Sequence, residues 1–398
     1  MDRRILRASQ LSPCERHGPA EPHHQPSQIA GRQGHADGSC HMSLQLREVS
    51  YRAGAETWLH PMDLELPAGL NVLLGATLAG KTTLLRLMAG LERPASGRVL
   101  VNGRDVTDVP VRKRNVSMVY QQFINYPSLS VYENIASPLR QAGVVHATIA
   151  ERVATLAETL HLTPFLQRRP AELSGGQQQR TALARALAKD AELVLLDEPL
   201  VNLDYKLREE LRSELGQLFA QRSTIVVYAT TEPQEALQLG GHTVVMVDGR
   251  VIQHGPGVEI FRRPTTLQAA RAFSDPPLNE IRAQLDANGM ALLPEGVRLP
   301  LPSLAGAPRE VVLAIRAQQL SSSPRHGSVA IAGRVALAEI SGSHTYLHMA
   351  SEHLSLIAQL PGVQQWPLGA PCTLHVDPRE VYCFDAHGQL LASPTWPA

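Results

Sequence analysis

One octapeptide constrains this chain more than any other feature. Residues 75–82 read GATLAGKT, which matches the spacing G-x-x-x-x-G-K-[ST]; the apolar run LNVLL precedes it at 70–74 and a helical pattern follows. A buried strand feeding a glycine-rich turn into a helix aims backbone N–H groups and a positive helix end at one point, which makes a cradle for phosphate. Gly75, Ala76, Thr77, Leu78, Ala79 and Gly80 form that cradle, Lys81 neutralises the β- and γ-phosphates, and Thr82 and Thr83 open the helix. The Thr82 hydroxyl is a candidate ligand for Mg²⁺.

The rest of the N-terminal two thirds suits such a loop. Buried-strand runs recur at 193–196 (LVLL) and 224–227 (TIVV), with helical stretches at 149–160, 177–188 and 206–219. The helix after the loop is expected to turn Thr83, Leu84, Leu87, Met88 and Leu91 inward. Strands alternating with helices imply an α/β fold, a largely parallel sheet covered on both faces. At 244 the period becomes two, and VVMV-DG-RVIQ reads as a tight hairpin. Beyond Pro276 the helices fade into short alternating segments at 311–315, 333–340, 345–349, 354–359, 372–376 and 381–384, expected to form a β-rich barrel or sandwich.

Composition excludes several classes. Lys+Arg 37 balances Asp+Glu 37, so no overall field draws the chain to nucleic acid. No run reaches the roughly 18 apolar residues of a membrane span, and the N-terminus lacks a signal-like apolar run. A chain that meets membranes only through a partner is expected. Cys14, Cys40, Cys372 and Cys383 lack C-x-x-C spacing and are expected as free thiols. Residues 1–42, rich in Pro, Gly, Gln and His, read as a disordered extension or a start placed too far upstream.

A second motif completes the chemistry. LVLLDEP places Asp197 at the end of an apolar strand, where it can hold Mg²⁺, and sets Glu198 beside it as the candidate general base for water. Between the two motifs lies LSGGQQQR at 173–180. Its Ser174, Gly175, Gly176 and Gln177 open a helix, a second potential anion site. With the loop and Asp197/Glu198, this resembles the signature of ABC-type ATPases. The resemblance implies a P-loop ABC ATPase core with a helical subdomain, using ATP and Mg²⁺. Two such cores sandwich two ATP molecules head to tail, and the signature of each caps the phosphate held by the other.

The resemblance covers residues 43–398. Gln121 resembles the glutamine that reaches Mg²⁺ and attacking water, which makes it both a metal and a catalytic candidate. The segment 123–135 (FINYPSLSVYENI) resembles the groove that receives a permease's coupling helix, and Asn202, Leu203 and Asp204 resemble the end of the dimer-contacting loop. The stretches LAIR (313–316), GRV (333–335), Glu339 and 381–385 resemble the C-terminal all-β, OB-like (TOBE-type) regulatory domain of maltose-type carbohydrate importers. Domains are thus expected at 43–275 (nucleotide-binding) and 276–398 (regulatory). The stretches GATLAGKTTLLRLMAG, YQQFINYP and YATTEP are most similar to ATPase subunits of bacterial glycerol importers.

This resemblance implies an ATP hydrolase energising import of a sugar or of a polyol such as glycerol, from the cytoplasmic face of a bacterial inner membrane. Its implied partners are permease subunits, a second ATPase subunit or a second copy, and indirectly an extracytoplasmic solute-binding protein. Three departures stand out. Thr231 occupies the position of the family's switch histidine, Leu78 that of a loop glycine, and Val201 that of a dimer-loop serine. Threonine is shorter than histidine and cannot become cationic, so a weakly hydrolytic subunit paired with an active second ATPase is the alternative. Ala53 aligns with the aromatic residue that stacks on adenine, with Tyr51 or Trp58 as substitutes.

Overall fold

Residues 42–395, apart from 202, 221–223, 302–303 and 305–307, are described by a computed structural model. The expectations for the N-terminal extension, Cys14, Cys40 and Asn202 fall outside these residues. The apolar run at 70–74 lies at the centre of a sheet. Strands β1 (Ser43–Ala53), β2 (Glu56–Pro67), β4 (Ser96–Val101) and β5 (Arg104–Asp105) form an antiparallel sheet in the order β2-β1-β4-β5. Strands β3 (Gly69–Leu74), β6 (Val116–Val119), β7 (Leu193–Asp197), β8 (Ile225–Thr230), β9 (His242–Val247) and β10 (Arg250–Pro256) form a second sheet in the order β10-β9-β3-β8-β7-β6. All its pairings are parallel except that of β9 with β10.

Every residue of β7 and β8 is buried, the continuous apolar pattern of strands covered on both faces. Helix α1 (Lys81–Ala89) packs Leu84, Leu85, Leu87 and Met88 between the two sheets. The opposite face of the parallel sheet carries α2 (Val131–Gln141), α3 (His146–Thr159), α4 (Gly175–Ala188) and α5 (Tyr205–Ala220) around one core, and α6 (Pro233–Leu239) follows β8. Each fully buried leucine contributes about 1.5–3 kcal/mol. One expectation is corrected. Gly90, at φ 78, caps α1, so Leu91 lies beyond the helix and is exposed, whereas Leu85 is buried.

The hairpin at 244–253 has the expected turn. Asp248 (φ 47) and Gly249 (φ 70) are both left-handed, as a two-residue turn matched to strand twist requires. A Cβ on Gly249 would lie 2.1 Å from the Trp58 carbonyl oxygen, so glycine is also a steric necessity there.

Helices α7 (Gly257–Arg262) and α8 (Leu267–Ala272) lead into two antiparallel sheets. Strands β11 (Asn279–Leu285), β12 (Met290–Leu292), β13 (Arg298–Pro300), β14 (Glu310–Ile315), β20 (Tyr382–Asp385) and β21 (Leu390–Ala392) run in the order β13-β12-β11-β14-β20-β21. Strands β15 (Leu320–Ser321), β16 (Val329–Ser341), β17 (His344–Ala350), β18 (Ser355–Pro361) and β19 (Pro371–Val376) run in the order β15-β19-β16-β17-β18. They close on one core, including Ile281, Leu313, Leu347, Leu356 and Leu374, as an OB-like near-barrel. Cys372 and Cys383 are buried there and unbridged.

Arg316 joins α7 to this all-β region. It is fully buried, its guanidinium lies 3.5 Å from the Phe261 ring centroid and 5.0 Å from that of Tyr382, and its Nη2 donates to the Phe261 carbonyl at 2.8 Å. Burial lowers its pKa to about 10, against an opposing influence of Tyr382.

Candidate nucleotide site

The loop 75–80 leaves the C-terminal end of β3 and enters α1, whose first-turn N–H groups have no partner within the helix. Two glycines are sterically demanded. A Cβ on Gly75 would lie 2.5 Å from the Met246 carbonyl oxygen, and one on Gly80 (φ 98) 2.7 Å from Leu59 Cδ2. Leu78 is left-handed (φ 69) with 91% of its surface exposed. Lys81 is 4% exposed and arches back over the loop, donating from Nζ to the Gly75 carbonyl at 2.8 Å and the Ala76 carbonyl at 3.1 Å. Burial pushes its ammonium below the ordinary lysine value, while nearby Glu198 opposes that shift.

Strands β3 and β7 flank β8, which brings the carboxylates to the loop. Asp197 is buried and accepts a hydrogen bond from the Thr82 hydroxyl; burial nevertheless raises its pKa. A hydroxyl beside a carboxylate is a hard-oxygen donor set that fits Mg²⁺. Glu198, left-handed at φ 48, places Oε1 3.5 Å from Lys81 Nζ and accepts a hydrogen bond from Gln121 Nε2 on Oε2 at 3.2 Å. The sequence-predicted Lys81, Thr82, Gln121, Asp197 and Glu198 therefore meet in one place.

Thr231 follows β8 and lines a cavity of about 10 Å³ together with Glu198, Val201, Arg208, Thr230 and Glu232. Behind it lies a polar cluster that no motif revealed. Glu235 is 5% exposed, accepts from Tyr228 Oη at 2.5 Å, and accepts a short hydrogen bond from the Thr230 hydroxyl. The only hint in sequence is a glutamate in the first turn of a helix after an apolar strand.

Ser174 caps α4 through a reciprocal box. Its hydroxyl accepts from the Gln177 N–H at 3.3 Å, and the Gln177 side chain accepts from the Ser174 N–H at 2.9 Å. Among the described residues, no hydrogen bond or ion pair joins Ser174, Gly175, Gly176 or Gln177 to the phosphate loop. The same helix instead grips neighbouring segments: Gln179 donates to the Pro199 carbonyl, and the Gln178 carbonyl accepts from Asn125. Arg185 donates to the Ile124 carbonyl and lies 4.8 Å from the Tyr126 ring centroid. Asn134, fully buried, binds both the N–H and the carbonyl of Tyr126, so 123–135 is a braced segment that exposes Ile124 and Tyr126.

Of the adenine candidates, Tyr51 is committed to Glu92 through a 3.1 Å hydrogen bond and packs on the core. Trp58 is 49% exposed. Its neighbour Gly249 donates to the Ala79 carbonyl of the phosphate loop at 3.1 Å.

A family profile described as ABC transporter matches residues 59–201. The sn-glycerol-3-phosphate import ATP-binding protein UgpC of Burkholderia mallei is 34% identical over 352 residues, 86% of this chain and 97% of that protein. A Rhizobium johnstonii protein named UgpC 1 is 32% identical over 356 residues, 88% of this chain and 96% of that protein. The uncharacterized ABC transporter ATP-binding protein YcjV of Escherichia coli O6:H1 is 32% identical over 325 residues, 80% and 90% respectively. The dimeric structure of MJ0796, a bacterial ABC transporter cassette, aligns at a TM-score of 0.50 and 28% identity, covering 54% of this chain and 98% of that one. The chain belongs to the ATP-binding proteins of ABC transporters, an ATP-hydrolysing family.

Proposed function

We propose that residues 43–275 bind and hydrolyse ATP to energise import of a polyol-class solute, glycerol or a glycerol phosphate ester, and that residues 276–398 regulate or steady the assembly without doing chemistry. The observation that carries this reading is Glu198, held between Lys81 and Gln121 at the mouth of the phosphate loop. Gly75–Thr83 would wrap the phosphates, and Thr82 and Asp197, with Gln121 at their edge, would hold Mg²⁺. When bound, that ion neutralises phosphate charge.

Glu198 takes a proton from water as the water oxygen bonds to the γ-phosphorus. The bond from that phosphorus to the β–γ bridging oxygen breaks, and ADP leaves with the electron pair. Ser174, Gly175, Gly176 and Gln177, which make no hydrogen bond to the chain's own loop among the described residues, suit a phosphate held by another subunit. That subunit is a second cassette, and Thr231 favours a different chain over a second copy, because a homodimer would lack the switch histidine twice. The surface at 123–135 suits a permease, which holds the chain at the cytoplasmic face of the membrane and beneath an external solute-binding protein.

Thr231 also supports a second reading, in which this site gates the dimer but turns over slowly. Single-turnover ATP hydrolysis in the assembled transporter separates the two. Cleavage fast enough to sustain transport at this chain's site supports hydrolysis; retained nucleotide without cleavage supports gating. Uptake of labelled glycerol, sn-glycerol 3-phosphate and a hexose by cells carrying the transporter tests the solute class.

A further inference from the structure

One side chain ties together two loops that flank the candidate site. Arg208, on the first turn of α5, donates from Nη1 to Glu232 Oε1 at 2.7 Å. From Nη2 it donates to the carbonyls of Val201 at 3.1 Å and Leu203 at 3.2 Å. Glu232 is the residue after Thr231, whereas Val201 and Leu203 belong to the turn that leaves Glu198. The turn is anchored to Glu198 itself, because the Val201 N–H donates to the Glu198 carbonyl. Arg208, Glu198, Val201, Thr231 and Glu232 line the same small cavity.

The geometry suits arginine. A rigid planar fork satisfies a carboxylate with one nitrogen and two carbonyls with another, whereas lysine offers a single point charge. Glu232 is held from its other side too, since its N–H donates to Thr230 Oγ1 at 3.0 Å and Thr230 bonds the buried Glu235. The ion pair is only partly shielded, with side chains 22% and 43% exposed, and pairs of that kind contribute little to global stability. What the contact supplies is a fixed relation between the two loops.

We propose that Arg208 is a positioning residue that couples the backbone at Val201 and Leu203 to the Thr231 loop, so that displacement of the first moves Thr231 and Glu198 together. The proposal rests on the reading that Glu198 and Thr231 serve ATP hydrolysis. Amide hydrogen exchange of the nucleotide-free full chain tests the link without reference to activity. Glu232→Gln, nearly isosteric, is expected to speed exchange at Val201 and Leu203, and Arg208→Met to speed it in both 200–204 and 229–233. A change confined to the substituted residue's own segment would overturn the coupling.

Steady-state ATP hydrolysis then tests the consequence. Each variant is expected to lower kcat on the order of 10- to 100-fold with the KM for ATP within about twofold. Arg208→Lys, which keeps charge near Glu232, is expected to fall between wild type and Arg208→Met. The pair Arg208→Met with Glu232→Gln is expected to be no worse than the worse single variant. A KM effect at unchanged kcat, or multiplicative losses in the pair, would overturn the positioning role. If Glu198→Gln leaves hydrolysis intact, the ATP reading fails instead, and the exchange result still decides the coupling.

Discussion

Lys81 Nζ and Glu198 Oε1 stand 3.5 Å apart, although Lys81 opens the helix that follows β3 and Glu198 follows β7, two strands that β8 separates. The lysine also holds two loop carbonyls, so it is oriented from both sides before any nucleotide arrives. On the proposed reading the two residues have different duties, phosphate charge for Lys81 and proton transfer for Glu198.

Substitution separates those duties. Glu198→Gln is expected to keep nucleotide affinity while hydrolysis falls on the order of 10²- to 10⁴-fold, the range for loss of a general base. Lys81→Ala is expected to weaken binding itself. Titration with a fluorescent ATP analogue beside a turnover assay checks both, and equal loss of affinity in the two variants contradicts the assignment.

Thr231 sets a second expectation. Histidine at this position is longer and can carry a proton between pH 5 and 8. Thr231→His is therefore expected to raise single-turnover hydrolysis at this chain's own site by about tenfold or more. Unchanged cleavage would show that the hydroxyl already suffices.

Glu235 predicts a pH dependence. Burial raises its carboxyl above the ordinary value of 4.5, against opposing hydrogen bonds from Thr230 and Tyr228. Above 4.5 the folded chain keeps a proton that the unfolded chain has lost. Unfolding free energy therefore declines as pH rises. The contribution is complete below the unfolded value and disappears as pH passes the folded one. Glu235→Gln is expected to flatten that decline, as denaturant unfolding from pH 4 to 8 would reveal; an unaltered slope rules out Glu235 as its source.

Trp58 is an exposed aromatic whose backbone packs on Gly249, which in turn bonds the Ala79 carbonyl of the phosphate loop. If adenine stacks on it, Trp58→Ala removes roughly 1–3 kcal/mol, the usual value for a base on an aromatic face. The KM for ATP is then expected to rise about 5- to 150-fold. Tyr51→Phe, which keeps the ring and cuts only the bond to Glu92, is expected to leave the KM unaltered. An unaltered KM in Trp58→Ala would contradict stacking on Trp58.

What was legible beforehand follows from what local spacing encodes. The phosphate loop, the DG hairpin and the Ser174 cap are consequences of a few adjacent residues, so their backbone chemistry is written in order along the chain. The β1–β2 hairpin is not legible in the sequence, since Pro61 interrupts its alternation, and the register shifts at Val49 and Tyr51 emerge only in the folded pairing. Arg208, Glu235 and Asn134 were not legible either. Their partners lie at Glu232, Tyr228 and Tyr126, and only the closed fold decides that each of these polar groups is satisfied. The helix after the phosphate loop showed the same limit on a smaller scale, because the period placed Leu91 on the inner face and Gly90 ended the helix first.

The central claim is that the Lys81/Glu198 site drives transport. The most direct measurement is solute uptake into proteoliposomes holding the complete transporter, with ATP hydrolysis followed in the same vesicles, for wild type and for Glu198→Gln in this chain alone. Uptake and hydrolysis are expected to fall together by at least about 10²-fold while the complex still binds ATP. Uptake and hydrolysis both persisting at the wild-type rate would contradict it.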